Sequence, residues 1–219
     1  MITPDRLPQH PTGPGAPIVA GEPTVLINKS VKKYKCIYAD PPWDKDFTWF
    51  KHGSENLYPR MHIDQIVGMG PQIREISHPE GCHLWMWVLA GWLKKAIAVG
   101  EAWGFHETDF VFWAHDRMRM GKVRHQGELL MLFERDPHMP LLSVEEINWE
   151  FTANWRGRPS EKPDVLRKKV ERCSPGPRLE MFARTKPLNR ENEWDTWGND
   201  PGLKNDIELI VPFTLQGGR

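Results

Sequence analysis

The sequence is short of several features that quickly sort a protein into a class. It has three cysteines, Cys36, Cys82 and Cys173. They are odd in number and widely spaced, so they form neither a disulfide framework nor a zinc pattern, and they point to a reducing compartment. No apolar run reaches transmembrane length, and the start lacks the basic-then-apolar pattern of a signal peptide. A soluble, cytoplasmic, non-secreted protein with no membrane partner is therefore expected. Charge of either sign is not in excess: 29 Lys and Arg balance 29 Asp and Glu. The overall charge gives no nucleic-acid footprint, so any such contact must come from local patches. With 219 residues the chain can bury one sizeable core but not a second complete domain.

What the chain does have is aromatic rings and prolines, including eleven tryptophans. Most of these belong in a core, and a surplus suits stacking on bases. The stretch that organises the rest is Lys35-Cys36-Ile37-Tyr38-Ala39-Asp40-Pro41-Pro42-Trp43. A short apolar run reads as a buried strand, and two prolines that cannot donate ladder hydrogen bonds end it. A stiff turn at the carboxyl end of a strand is where open α/β sheets place their ligand crevice. Asp40, the Pro41 carbonyl and the Trp43 ring together suit a planar base carrying an exocyclic amine.

Residues 1–30 are rich in Pro and Gly and read as an irregular leader, with one short strand at Thr24–Ile27. After Trp43 a polar and aromatic loop, 44–53, sits at the mouth of the presumed site. A helix enters at His62–Ile66. Cys82–Leu89 reads as a buried strand, Leu93–Trp103 as a helix capped by Gly104, and Phe105–Trp113 as a further strand. Strand, helix, strand is the βαβ pattern of a parallel sheet. His115–His125 carries four cations, Arg117, Arg119, Lys122 and Arg124, which suit a phosphate backbone or simply a solvated loop. Gln126–Phe133 is another strand, with Glu128 as an acid on it. Residues 136–155 look like an insertion. A helix over Val165–Cys173, the turn Ser174-Pro175-Gly176 and a strand over Arg178–Arg184 close the pattern, followed by Trp194-Asp195-Thr196-Trp197-Gly198-Asn199-Asp200.

Asp40-Pro41-Pro42-Trp43 resembles the catalytic motif of amino-methyltransferases. With tryptophan fourth, it is similar to the N(6)-adenine methyltransferase family that includes the eukaryotic mRNA-methyladenosine writers and many bacterial and phage proteins. The run from Lys162-Pro163 through Ser174-Pro175-Gly176 to Glu180-Met181-Phe182-Ala183-Arg184, and the ending Trp194 to Asp200, match that family in order. The resemblance covers roughly residues 35–200. It implies a single Rossmann-like α/β methyltransferase domain over 31–219: a mostly parallel sheet, helices on both faces, and the catalytic motif ahead of the cofactor-binding strand. The family places variable segments where 136–155 falls. Its wider superfamily has a glycine-rich turn where this chain has Arg184.

The resemblance also assigns roles. Asp40, Pro41, Pro42 and Trp43 are the catalytic motif. Lys162 pairs with the carboxylate of S-adenosylmethionine, and Arg184, Asn199 and Asp200 stand at ribose-binding positions. Tyr58 lies near the base pocket and His125 stands where the mRNA writers carry a histidine; with Arg117, Arg119, Lys122 and Arg124 they form the expected substrate-binding set. No metal is required. The expected function is methyl transfer to the N(6) amine of adenine in nucleic acid. DNA is favoured over RNA because brevity resembles the bacterial and phage members, which also suggests a bacterial or phage-infected cell. The alternatives are a nucleic-acid-binding scaffold subunit of a methyltransferase complex, and an amino-methyltransferase acting on cytosine or another amine. A homo- or heterodimer with a related subunit is the implied assembly.

Overall fold

The computed structural model describes residues 31–43, 60–119, 125–144, 150–152, 161–184, 194–198, 200 and 202–212. The leader with its expected strand at Thr24–Ile27, and the 44–53 loop, lie outside them. In chain order the elements are β1 (Cys36–Ala39), α1 (Ile63–Gly68), α2 (Gly70–Ile76), β2 (Cys82–Val88), α3 (Leu93–Ala102), β3 (His106–Arg119), β4 (His125–Arg135), β5 (Glu150–Thr152), α4 (Asp164–Cys173), β6 (Arg178–Met181) and β7 (Trp194–Trp197). Among the described residues the strands form one sheet in the order β5-β3-β4-β2-β1-β6-β7.

The apolar runs of β1 and β2 explain their central place. A strand covered on both faces cannot alternate with polar residues, and every residue of β1 and β2 is buried. β1 pairs in parallel with β2 on one side and β6 on the other, and β6 pairs in parallel with β7. Helices cover both faces. Ile66 of α1, Ile73 and Ile76 of α2 and Ala96 and Val99 of α3 pack on one face. Leu166 and Val170 of α4 pack on the other, over Cys36, Tyr38, Trp85 and Trp87. The mostly parallel α/β sandwich is thus as expected.

The simple βαβ reading of β2-α3-β3 needs one refinement. β3 runs parallel to β2 but is not its neighbour, because β4 lies between them and is antiparallel to both. The hairpin also lengthens β3. The sequence reading ended this strand at Trp113, whereas it continues to Arg119, held by pairing with β4 up to Arg119 opposite His125. The first half of the basic stretch is therefore strand rather than loop. Conversely, the strand expected over Arg178–Arg184 stops at Met181, because Phe182 turns the chain with φ +61°. α2 was not anticipated; Pro71 opens it and fits the first helical turn. Within 136–155 the edge strand β5 pairs in parallel with β3.

Local chemistry sets the helix ends. His62 caps α1 by accepting from the Asp64 N–H, while Gln65 Oε1 accepts from the His62 N–H at 2.9 Å. Gly104 follows α3 with φ +87°, a left-handed value that costs glycine nothing. The three cysteines are free and buried, and burial pushes the Cys82 thiol up to about 12.

At the amino end of the sheet a buried polar cluster joins three segments. Ser174 Oγ accepts from Trp85 Nε1 and bonds His83 Nδ1, both at 2.9 Å, and His83 Nε2 bonds the Met139 carbonyl. Since a carbonyl only accepts, Nε2 carries the proton and Nδ1 accepts from Ser174. Burial holds the imidazole below its ordinary value despite the Met139 carbonyl, so it is neutral at pH 7. Ser174→Ala strands a buried indole N–H and a buried ring nitrogen. It should lower stability by about 2–4 kcal/mol, measured by urea denaturation. A depressed histidine pKa also means the unfolded chain binds more protons below about pH 6.5. Stability from His83 is therefore complete above that pH and falls on acidification. His83→Gln should flatten that part of a melting-temperature profile.

Candidate active site

Alternation along neighbouring strands brings the candidate residues together. Tyr38 and Asp40 on β1 and beyond it, Trp85 and Trp87 on β2, and Leu130 and Glu128 on β4 all face α4. The residues just ahead of α4 cross this face at the carboxyl end of β1. Lys162 extends its ammonium over the Trp87 ring, 5.4 Å from the centroid. There it meets Asp40 Oδ2 at 2.7 Å on one side and Glu128 Oε2 at 3.3 Å on the other. The strands carrying these two acids flank β2, so one cation spans three strands.

Burial makes this cluster strong. Lys162 is 12% exposed and Glu128 5%, while Asp40, which opens on the cleft, is 34% exposed. Burial opposes the charge on Lys162, but the Asp40 and Glu128 carboxylates outweigh it and raise its pKa. Burial raises the Asp40 pKa too, with Glu128 adding to the rise and Lys162 pulling it down. Removing one partner of a buried pair typically costs about 3–5 kcal/mol.

Pro41 and Pro42 behave as a rigid turn. The Pro41 carbonyl accepts from the Trp43 N–H at 2.8 Å and the Pro42 carbonyl from the Met61 N–H at 2.9 Å. One lone pair of the Pro41 oxygen remains for a ligand. Trp43 is 9% exposed: its indole packs edge-on against Trp92 at 6.2 Å, and its Nε1 donates to the Trp87 carbonyl. Its ring therefore holds the turn against the sheet.

A cleft opens beside this turn, lined by Asp40 and both prolines on one wall and by Phe182, Ala183, Arg184 and Asp200 on the other. The second wall is built by unusual backbone. Phe182 adopts a left-handed φ that costs a non-glycine residue about 1–3 kcal/mol, and its packing on Trp197 at 5.4 Å offsets this. Gly198 passes so close that a Cβ there would sit 2.0 Å from the Ala183 carbonyl oxygen. Asn205 clamps Gly198 from both sides, accepting from its N–H and donating to its carbonyl. Asp200 Oδ1 accepts from the Gly202 N–H, leaving its other oxygen for a ligand.

Of the sequence-derived set, Asp40, Pro41, Pro42, Arg184 and Asp200 share this cleft and Lys162 adjoins it through Asp40. Trp43 stands behind the turn. Arg117 and Arg119 lie on β3 and His125 opens β4. Because β2 ends at Val88 opposite Leu129, the hairpin overhangs the crevice edge by four residues, roughly 13 Å. Tyr58, Lys122, Arg124 and Asn199 lie outside the described residues. Sequence reasoning matched Glu128 to the acidic position of the family's strand, with a strand-edge acid as the alternative, but did not place it beside Lys162; an acid at an inward position of an apolar strand was the available signal. Asn205 gave no such signal.

A family model described as MT-A70 matches residues 34–200. The chain is 27% identical over 186 residues to the type II methyltransferase M.MunI of Mycoplasma sp, covering 76% of this chain and 77% of that one. It is 27% identical to a Drosophila melanogaster N(6)-adenosine-methyltransferase MT-A70-like protein, over 83% of this chain but 29% of the relative. The human N(6)-adenosine-methyltransferase catalytic subunit METTL3 is 24% identical, over 82% of this chain and 30% of its own length. The chain thus spans less than a third of these eukaryotic relatives. With the match running from Tyr34, two residues before β1, to Asp200 in the cleft, the chain belongs to the MT-A70 family of methyltransferases.

Proposed function

We propose that the protein transfers a methyl group from S-adenosylmethionine to the exocyclic N(6) amine of adenine in nucleic acid, with DNA favoured over RNA. The observation that carries this reading is Asp40 at the end of β1, bound to Lys162 and opening on the cleft. The type II methyltransferase likeness extends over most of both chains and favours DNA. The intact acidic motif weighs against a scaffold role.

The side chains present fit such a donor. Lys162 and Arg184 offer cations for its carboxylate and polar ribose edge, and Asp200 offers an acceptor for a hydroxyl. When bound, the donor supplies an electrophilic methyl on a sulfonium, whose sulfur leaves with the electron pair of the broken bond. The exocyclic amine of adenine is a poor nucleophile because its lone pair is delocalised into the ring. Asp40 and the free lone pair of the Pro41 carbonyl can accept from the two amine hydrogens, which localises electron density on nitrogen and aims it, and the proton that the methylated amine sheds passes to the Asp40 carboxylate and on to solvent. Lys162 and Glu128 fix the Asp40 carboxylate for that task. The prolines and the Trp43–Trp92 pair keep the turn from yielding. Alignment of this kind lowers a barrier by up to roughly 7–11 kcal/mol. A duplex substrate must flip its base, at a cost of a few kcal/mol. The β3–β4 hairpin, with Arg117 and Arg119, is the proposed phosphate-contacting surface. A homo- or heterodimer with a related subunit remains part of this reading.

The test is tritiated methyl transfer from S-adenosylmethionine to single- and double-stranded DNA and RNA, with nucleoside digestion of the product. N(6)-methyladenine from DNA is expected; label on another base, or no transfer with the donor bound, would sink the reading. Asp40→Asn should lower transfer at least about 100-fold with donor affinity largely kept. Lys162→Ala should weaken donor binding in calorimetry, and an unchanged dissociation constant would remove Lys162 from the donor site.

A further inference from the structure

One carboxyl at the same end of the sheet takes no part in this scheme. Glu180 on β6 is paired in register with Tyr38 on β1, and it shares with Tyr38 and Asp40 the face covered by α4. As a diagonal position across two adjacent parallel strands, Asp40 lies about 8 Å from it, backbone to backbone. Glu180 is partly buried, and among the described residues no hydrogen-bond donor reaches its carboxylate. Its nearest helical cation is already committed. Arg167 donates to Asp164 from Nε and Nη2 and to Glu171 from Nη1.

The charge balance on this face is therefore uneven. Asp40, Glu128 and Glu180 converge on it; Lys162 answers the first two, and Arg184 across the cleft adds its pull on Asp40. Facing Glu180 are Tyr38 and Asp40 from β1, Asp164 and Arg167 from α4, and Thr196, its uncharged register partner on β7. Burial pushes the Glu180 carboxyl up to about 7, against the pull of Arg167 and with Asp40 and Asp164 adding to the rise. A buried site with more acid than base holds a proton until a cation arrives.

We propose that Glu180 is a charge-sensing carboxyl: arrival of the positively charged methyl donor drives off its proton, and the uncharged thioether left after transfer does not. This rests on the donor assigned above. The donor carries a sulfonium, an ammonium and a carboxylate, and so a net positive charge; the thioether product carries only the balanced ammonium and carboxylate. An ionised Glu180 is stabilised by the first and indifferent to the second. The site then grips the reactive form and relaxes on the spent one, by an amount that pH controls. The sign follows from linkage. Donor binding releases a proton, so donor affinity rises with pH through the range where free Glu180 titrates and levels off above it.

Isothermal titration of the full chain with S-adenosylmethionine and with S-adenosylhomocysteine decides this. Phosphate and Tris buffers, whose heats of ionisation differ, report the protons exchanged. Wild type near pH 7 should release a substantial fraction of a proton with the donor and much less with the thioether. Its donor dissociation constant should tighten by up to about tenfold between pH 6 and pH 8, with a flatter thioether profile. Glu180→Gln should bind the donor without that release. Equal release with both ligands overturns the proposal, as does release that survives in Glu180→Gln, since Asp40 would then be the titrating group. Should Glu180→Gln fail to fold, the wild-type contrast between the two ligands still decides. Failure of wild type to bind either ligand would instead refute the donor assignment itself, and this inference with it.

Discussion

The ammonium of Lys162 is the point on which the site turns. It is held above Trp87 by carboxylates that reach it from the strands on either side of β2. In water such a pair would contribute little, because solvent and salt screen exposed ions. Here the three groups sit at the junction of the sheet and the entry to α4, and the two carboxylates keep the buried ammonium charged. The geometry that fixes the Asp40 carboxylate also ties α4 to the sheet. The proposed alignment of Asp40 and the tertiary structure are thus served by the same contact.

Around this contact the sheet is braced by aromatic rings. Edge-on pairs link Trp194 to Tyr38, Tyr38 to Trp87, Trp87 to Trp113 and Trp113 to His115, crossing from β7 to β3 beneath α4. Trp87 Nε1 donates to Tyr38 Oη, so the polar edges of these rings are satisfied inside the core. Trp87, Trp113 and Trp194 stand in this chain, and among the described tryptophans Trp92 alone is more than slightly exposed. The described rings that suggested base stacking are mostly core, and Trp87 with its neighbours floors the ion cluster. Rigidity has value here, since a misplaced carboxylate would lose the orientation that the proposed chemistry needs.

The opposite wall of the cleft relies on backbone rather than charge. Phe182 occupies a conformation normally left to glycine, and Gly198 occupies a space that no other residue could enter. The two are coupled through the Ala183 N–H, which donates to the Trp197 carbonyl. Arg184 and Asp200 thereby face Asp40 across a gap set by main-chain geometry. The C-terminal segment adds support: Asp206 accepts from the Thr196 backbone and hydroxyl, and Gln72 makes a two-way bond with the Ile210 backbone.

Much of this was readable in one dimension. Short apolar runs that stop at Pro41 or at a turn residue can only be buried strands, and Leu93–Ala102 has the spacing of a helix with its cap. Asp40, Lys162, Arg184 and Asp200 were readable as candidates by motif, because their types and order survive in the linear chain. The reversed placement of β4 was not readable, since a strand's direction is set by which neighbour it pairs with rather than by its own residues. Nor was the extension of β3 to Arg119, which pairing across the hairpin decides. The left-handed turn at Phe182 had no glycine to announce it. The meeting of Glu128 with Lys162 and Asp40 joins positions 128, 162 and 40. The sequence determined which chemical groups this protein carries and which strands must be buried. Only tertiary structure decided which of those groups share one buried charge cluster, because burial and strand order set their distances and pKa values.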